Sequence, residues 1–187
     1  YNGRDPFCDP FCGSGTIAIE AALIAKNRAP GLERSFDAQK WAFLPQNAWL
    51  DAAEEAMDKE FHGKYDIWGG DIDPRAVDIA RSNAVKAGVE DCVRFEVADM
   101  KNFRRNSPYG QLVTNPPYGE RLMDRAEAEA LYWELGRVWQ RLPDGWRTLV
   151  LSSHTEFERT FGRPADKKRK LYNGMLKCDL FMYGKTC

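Results

Sequence analysis

The chain has 187 residues, 43% of them hydrophobic and 29% charged, with a formal net charge of −1 at pH 7. These values are typical of one globular domain with a full core, and the charge balance argues against a protein whose whole surface binds nucleic acid. No apolar run approaches the roughly 18 residues of a membrane span. Five cysteines without paired spacing predict neither a disulfide framework nor a metal site, and they favour a reducing, cytoplasmic location.

The first predicted strand, at 6–9, leads into the glycine-rich loop DPFCGSGT and then into a predicted helix at 15–28. Glycines between a strand and a helix allow the backbone to approach a ligand closely. The loop lacks the lysine of a phosphate-binding P-loop, and it matches the dinucleotide pattern only loosely, with Ala18 as the third small residue. An acid ahead of the first glycine disfavours a pyrophosphate and suits the positively charged amino group of S-adenosylmethionine; a glycine turn without a ligand is the alternative. The predicted cofactor contacts in this loop are Asp9, Pro10, Phe11, Cys12, Gly13, Ser14, Gly15 and Thr16.

The next two predicted strands, at 66–71 and 92–98, each end at a carboxylate. Asp71, at the end of the first, can accept hydrogen bonds from both hydroxyls of a ribose. Asp73 is predicted instead to begin the helix at 74–87, because an aspartate followed by proline is typical of a helix start.

Residues after these two strand ends are predicted to enclose an adenine ring. Asp99 can accept a hydrogen bond from the adenine amine, while Ile72 and Met100 lie against its two faces. The alternative for Asp99 is a loop carboxylate that caps the next short helix. Asp71, Ile72, Asp99 and Met100 therefore complete the predicted cofactor site together with the glycine loop.

The fourth predicted strand, at 110–114, stops at the sequence Asn-Pro-Pro-Tyr. Two consecutive prolines remove two backbone donors and fix φ twice, so a rigid elbow follows the strand. Asn115 and the Pro116 carbonyl can accept the two N–H bonds of an exocyclic amine, and Tyr118 can stack on the base that carries it. The alternative is a proline-rich turn with a packed tyrosine. We predict Asn115, Pro116, Pro117 and Tyr118 as the catalytic residues, with Asn115 also beside the cofactor.

The remaining pattern completes an α/β fold. Further helices are predicted at 46–61, 125–141 and 155–161, and further strands at 146–152, 167–173 and 177–183. Because strands alternate with helices, we predict a seven-stranded, mostly parallel sheet with helices on both faces. The last two strands are joined by a connection too short for a crossover, so they are predicted to form an antiparallel hairpin.

The connection at 32–65 is unusually long and rich in aromatic residues. We expect these aromatic side chains to cover the core; lining a substrate channel is the alternative. They are Phe36, Trp41, Phe43 and Trp49.

These motifs together resemble class I S-adenosylmethionine-dependent methyltransferases, and more narrowly the RNA methylase family that includes the 23S ribosomal RNA guanine-N2 methyltransferases. The resemblance is carried by DPFCGSGT (9–16), IEAALIA with the following APG (19–31), GGDIDPRAV (69–77), NPPYGER (115–121) and KKRKLYNG (167–174). It implies a Rossmann-like fold, S-adenosylmethionine as cofactor and RNA as substrate. Members of that family usually carry an N-terminal RNA-binding domain of the THUMP type, which has no counterpart here. We therefore expect residues 1–187 to be a single catalytic domain excised from a parent protein that carries the RNA-binding domain.

The resemblance also assigns a role to the basic residues near the C-terminus. A run of cations is usually solvated, but its placement in the family favours contact with RNA phosphates. The predicted RNA-binding residues are Arg121, Lys167, Lys168, Arg169 and Lys170.

The implied reaction is methyl transfer to an exocyclic base nitrogen in RNA, most specifically guanine N2 of 23S ribosomal RNA. Residue chemistry leaves adenine N6 open, because adenine presents the same kind of amine. A protein glutamine-N5 methyltransferase and a non-catalytic RNA-docking module that binds the cofactor are further alternatives. His62 and His154 stand apart in the sequence, and we predict no role for them in metal binding or catalysis.

Overall fold

Seven strands form one sheet in the computed structural model, which describes residues 1–45, 47–118 and 124–184. The strands are β1 (Phe7–Asp9), β2 (Ile67–Asp71), β3 (Val93–Val97), β4 (Tyr109–Thr114), β5 (Gly145–Ser152), β6 (Lys167–Asn173) and β7 (Leu176–Gly184). Their order is β3-β2-β1-β4-β5-β7-β6, in which β1 to β5 are parallel and β7 is antiparallel to both β5 and β6. The predicted α/β fold with a C-terminal antiparallel hairpin is confirmed.

In the described part of the chain, α-helices connect the strands at the predicted places. They are α1 (Thr16–Lys26), α2 (Ala48–Asp58), α3 (Pro74–Ala87), α4 (Arg125–Arg141) and α5 (Phe157–Phe161). Asp73 begins α3 as predicted, because its side chain accepts the Arg75 N–H and Pro74 occupies the first helical position. Within the described ranges, no helix is both long enough and apolar enough to span a membrane.

Two hydrophobic clusters pack against the sheet. One combines residues of α1 and α3 with Phe7 and Ile67, and the other combines residues of α4 and α5 with Trp68 and Leu112. Successive side chains of a strand point to opposite faces, so neighbouring residues such as Ile67 and Trp68 belong to different clusters. The helices therefore cover both faces of the sheet, as predicted.

The strand order reverses at β1, which pairs with β2 on one side and with β4 on the other. Phe7 lies opposite Gln111 and Cys8 opposite Leu112, so both strands run toward the same edge of the sheet. Ligands of open α/β sheets bind at such a reversal, beyond the carboxyl ends of the strands. The glycine loop after β1 and the elbow after β4 therefore emerge side by side.

The aromatic residues of the 32–65 connection do not cover the core, so that expectation is wrong. Trp41 and Phe43 stack on each other and are 54% and 77% exposed, and Phe36 stacks on Trp49. None of the four belongs to either hydrophobic cluster. The physical reason lies in the helix that the connection carries, since no residue of α2 is buried. Because α2 does not pack into the core, neither Trp49 within it nor the three aromatic residues before it have a core surface to cover.

A partly buried ionic cluster anchors the end of this connection beneath α1. Glu60 accepts from Arg28 Nη1 at 2.5 Å, and its other oxygen lies 3.9 Å from Lys26 Nζ. Arg28 also donates through Nε to the Ala87 carbonyl at the end of α3. The guanidinium thus joins the carboxyl ends of α1 and α3 to the segment that leads into β2.

We expect Glu60→Ala to lower the free energy of unfolding by about 2–4 kcal/mol, because it leaves two partly buried cations without their shared carboxylate. Urea denaturation measures this change. Glu55→Ala is the matched control, because it removes an exposed ion pair with Lys59 and should leave the midpoint unchanged. Equal midpoints for both variants would contradict the anchoring role.

Candidate active site at the carboxyl edge of the sheet

A buried hydrogen bond joins the glycine loop to the elbow. Asp9, the last residue of β1, is 1% exposed, and its Oδ1 accepts from Thr114 Oγ1 at 2.6 Å and from the Phe11 N–H at 3.1 Å. Thr114 is itself buried and is the last residue of β4, directly before the elbow. The glycine loop and the elbow are therefore held in one register by a contact between their supporting strands.

The environment of Asp9 favours its protonated form in the cofactor-free protein. Burial raises the pKa of its carboxyl from 3.8 to about 7, and the Asp71 carboxylate also acts to raise it. The hydrogen bonds from Thr114 and Phe11 act in the opposite direction but do not overcome the loss of hydration.

The glycine loop combines a packed glycine with an open one. Gly15 adopts φ +85°, and a Cβ there would stand 2.8 Å from Phe95 Cζ and 2.9 Å from Ala80 Cβ. Gly13 adopts φ +51°, and a Cβ there would meet nothing within 4 Å. Gly15 therefore lets α1 pack closely on α3, whereas Gly13 leaves open space along the loop.

The other predicted loop residues differ in exposure. Ser14 and Thr16 are exposed, with their hydroxyl oxygens 3.2 Å apart, and Phe11 is half-buried. The remaining two side chains of the loop, Pro10 and Cys12, are buried. The exposed side chains of this loop are therefore the two hydroxyl-bearing ones, Ser14 and Thr16.

Asp71 supports the glycine loop with both carboxylate oxygens. Oδ2 accepts the Gly13 N–H at 3.0 Å, and Oδ1 accepts the Asp73 N–H at 3.0 Å. Each carboxylate oxygen has a second lone pair, so further hydrogen bonds from a diol remain compatible with these contacts. The same arrangement directs the Gly13 N–H toward a carboxylate, whereas a phosphate-binding loop directs such groups toward its ligand.

The predicted adenine contacts occupy different environments. Ile72 is 71% exposed, whereas Met100 is 3% exposed and packs in the core cluster with Trp68 and Phe103. Asp99 accepts the Lys101 N–H at 2.9 Å and so caps the short 3-10 turn at Met100–Asn102. The alternative interpretation of Asp99 as a cap is thus observed, and of the two apolar residues only Ile72 offers a broad free surface.

The elbow has internal and external hydrogen bonds. The Tyr118 hydroxyl donates to Asn115 Oδ1, which fixes the direction of the amide oxygen. The Pro117 carbonyl accepts from the hydroxyl of Tyr132, a buried residue of α4, at 2.7 Å. Pro116 is buried, while Asn115 and Tyr118 are half-buried. The elbow is therefore a fixed element that lies beside the loop of β1.

The β6–β7 hairpin reaches the same edge of the sheet. Ser152, the last residue of β5, pairs with Asp179, and the hairpin continues beyond that point to its turn. Cys178 Sγ lies 3.9 Å from the Tyr118 hydroxyl, which places the hairpin beside the elbow. Tyr172 and Met175 at its tip are strongly exposed.

The four predicted basic residues of β6 are all exposed, but their surroundings differ. Lys168 donates to Glu158 at 2.6 Å, and Lys170 pairs in register with Asp179. Side chains alternate along a strand, so Lys167 and Arg169 occupy the opposite face. The fifth predicted RNA contact, Arg121, lies outside the described residues.

Thr114 and Tyr132 contact the candidate site through hydrogen bonds that sequence reasoning missed. Thr114 stands at an inward position of the alternating strand before the elbow, where a polar residue needs a buried partner. Tyr132 appears in the sequence as one more apolar-face residue of α4, because nothing local indicates where its hydroxyl points. Among the described residues, no group of three or more metal-ligating side chains occurs.

The raised pKa of Asp9 predicts how stability depends on pH. Protonated Asp9 stabilises the cofactor-free protein below about pH 4, and this contribution is lost as the pH rises to about 7. We expect Asp9→Asn, which remains neutral, to flatten this part of the profile, with a difference on the order of 4 kcal/mol across the range. Denaturation at a series of pH values tests this, with the exposed Asp51→Asn as control. Parallel profiles for wild type and Asp9→Asn would contradict the raised pKa.

Known proteins similar to this chain include several methyltransferases. Residues 1–181 match the family described as "RMKL-like, methyltransferase domain". YpsC of Bacillus subtilis, named as an RNA methyltransferase, is 45% identical over 179 residues, which are 95% of this chain and 46% of that protein. The "Ribosomal RNA large subunit methyltransferase K/L" of Shewanella baltica is 41% identical over 180 residues, which are 94% of this chain and 25% of that protein. The chain thus spans less than half the length of these relatives.

Solved structures show the same relationship. SMU.472, described as a methyltransferase complexed with SAH (S-adenosylhomocysteine), superposes with a TM-score of 0.95 and 42% identity, over all of this chain and 50% of that one. A Listeria monocytogenes protein described as an N6-adenine-specific DNA methylase superposes with a TM-score of 0.91 and 44% identity, over 98% of this chain and 47% of that one. The chain therefore belongs to the family of RMKL-like methyltransferase domains.

Proposed function

We propose that this domain transfers a methyl group from S-adenosylmethionine to an exocyclic amine of a base in RNA. The observation that carries the proposal is the Thr114–Asp9 hydrogen bond, which holds the glycine loop and the elbow side by side. The family is one of methyltransferases, and SMU.472 was solved with the demethylated product of this cofactor. We further propose that residues 1–187 form a single catalytic domain.

The donor set of the loop fits a cationic cofactor without phosphates. Asp9 and Asp71 place two carboxylates below the loop, and the Gly13 N–H is directed to one of them. A pyrophosphate would meet like charge there, whereas the amino group and sulfonium of S-adenosylmethionine meet opposite charge. Gly13 leaves open space for close approach, and Asp71 is placed to accept the ribose hydroxyls. Ile72 and Asp99 are proposed to contact the adenine.

The elbow supplies the chemistry at the accepting nitrogen. When bound, the cofactor supplies an activated methyl group. Asn115 Oδ1 and the Pro116 carbonyl would accept the two N–H bonds of the amine and stabilise the positive charge that develops on it. An amide oxygen has two lone pairs, so Asn115 Oδ1 can serve the amine while it accepts the Tyr118 hydroxyl. The proton becomes acidic once the nitrogen is cationic, so no strong general base is required.

RNA is the proposed substrate. The proposed target atom is guanine N2 of 23S ribosomal RNA. The names of YpsC and of the K/L enzyme support RNA, and the K/L name supports the large ribosomal subunit. Adenine N6 is the second candidate, because the Listeria relative is described as an N6-adenine-specific methylase. In either case the base must leave its stack to reach the elbow. Mass identification of the methylated nucleoside distinguishes the two.

The exposed strand β6 is the proposed contact with RNA phosphates. Lys167 and Arg169 form one face of this edge strand, and neither forms an ion pair with another of the described residues. Lys168 and Lys170 form the other face, where Glu158 and Asp179 offset their charge. We therefore expect the face with Lys167 and Arg169 to contribute more to RNA binding than the face with Lys168 and Lys170.

Substitution of Asn115 tests the proposed reaction. We expect Asn115→Ala to reduce turnover on unmethylated 23S ribosomal RNA by about a hundredfold, because it removes a hydrogen bond that strengthens in the transition state. Cofactor affinity measured by calorimetry should change little. Asn47→Ala, at the exposed start of α2, is the control and should retain wild-type turnover. Undiminished turnover of Asn115→Ala would place the active site elsewhere.

Two double variants test the RNA interaction. Replacing Lys167 and Arg169 by Gln should reduce the slope of log affinity against log salt by roughly 0.7–0.9 for each phosphate that is no longer neutralised. Replacing Lys168 and Lys170 by Gln should reduce it less, because these residues face carboxylates. Filter binding across salt concentrations measures both slopes. Unchanged slopes in both variants would support the alternative that charge merely guards an edge strand against pairing.

A further inference from the structure

We infer that Tyr132 is a positioning residue for methyl transfer, because its hydroxyl restrains ψ of Pro117, a backbone torsion that the two prolines of the elbow leave free. This inference rests on the proposed function of Asn115 to Tyr118. Tyr132 lies on α4, is fully buried and donates from its hydroxyl to the Pro117 carbonyl at 2.7 Å. Its ring packs in the hydrophobic core, and its hydroxyl contacts the proposed active site.

The covalent structure of the elbow leaves few torsions free. The two pyrrolidine rings lock φ at Pro116 and at Pro117. The ψ angle of Pro116 is restricted to extended values because a proline follows it. The first torsion that can still turn is therefore ψ of Pro117, and this torsion rotates the Pro117 carbonyl. A hydrogen bond to that carbonyl therefore restricts rotation about ψ of Pro117.

The position of Tyr118 depends on the same torsion. The Pro117 carbonyl and the Tyr118 N–H belong to one planar peptide group, so rotating one moves the other. Tyr118 must be correctly placed for its hydroxyl to donate to Asn115 Oδ1. A fixed Pro117 carbonyl therefore orients Asn115 indirectly, through Tyr118.

The Tyr132 hydroxyl also accepts a hydrogen bond from Ser152, at the end of β5. Ser152 Oγ lies 3.4 Å from it as a donor, and the His154 N–H donates to Ser152 Oγ at 3.1 Å. The Tyr132 ring packs edge-on against His154 and Phe157. A chain of donors thus runs from the end of β5 through Tyr132 to the elbow, and it joins the elbow to two rigid elements of the core.

Tyr183 provides a matched control for the loss of a buried hydroxyl. It is buried in the same hydrophobic cluster, and its ring centroid lies 4.4 Å from that of Phe161. Its hydroxyl is buried and has no hydrogen-bond partner among the described residues. A tyrosine that acts only by packing should tolerate replacement by phenylalanine equally well at both positions.

The experiment compares Tyr132→Phe, Tyr183→Phe and Asn115→Ala in the whole chain. With transcribed 23S ribosomal RNA as substrate, we expect Tyr132→Phe to lower kcat by about tenfold, the effect expected for one hydrogen bond, without raising KM for the cofactor. Tyr183→Phe should retain wild-type kcat. Independently of activity, hydrogen exchange of the Tyr118 amide should be faster in Tyr132→Phe and unchanged in Tyr183→Phe.

The outcomes separate this inference from the proposed function. Wild-type kcat and unchanged Tyr118 exchange in Tyr132→Phe, beside a strongly impaired Asn115→Ala, would overturn the positioning role alone. Wild-type turnover of Asn115→Ala would overturn the elbow mechanism and the inference with it. Equal reductions of kcat in both phenylalanine variants would assign the effect to packing and overturn the inference as well.

Discussion

The hydrogen bond between Thr114 and Asp9 is the contact on which the geometry of the site depends. It joins residues 105 positions apart in the sequence, and it lies where β1 and β4 meet at the reversal of strand order. Both side chains are buried, so neither can exchange this bond for water without exposing the core. The loop and the elbow consequently keep one separation, which is what a transfer between two bound molecules requires.

The carboxyl groups of Asp9 and Asp71 would limit which cofactors the loop can hold. Asp71 accepts a hydrogen bond from the Gly13 N–H, and the buried Asp9 carboxyl lies close enough to Asp71 for the two charges to interact. Because the Gly13 N–H already donates to Asp71, it is not available to bind a phosphate. In the cofactor-free protein burial favours neutral Asp9, and a nearby cation favours its ionised form. Binding of a positively charged cofactor and ionisation of Asp9 should therefore reinforce each other.

Sequence patterns predicted the strands, the helices and the hairpin because those features depend on local periodicity. They also located the glycine loop and the elbow, whose residues are contiguous. The contacts of Thr114 and Tyr132 could not be predicted, because each depends on which strands become neighbours. The aromatic connection was misjudged for a related reason: composition indicated burial, but burial requires a helix that packs on the sheet, and no residue of α2 is buried.

The proposed role of the elbow accounts for how an amine would be held, but it does not by itself select a base. Guanine N2 and adenine N6 both present two N–H bonds, so Asn115 and the Pro116 carbonyl would serve either equally well. Discrimination must therefore come from groups that contact the rest of the base or its neighbours. The β6–β7 hairpin contacts the elbow through Cys178 and carries the exposed Tyr172 nearer its tip, so it is a candidate for such contacts. Residues of this hairpin are therefore better candidates for base selection than the elbow itself.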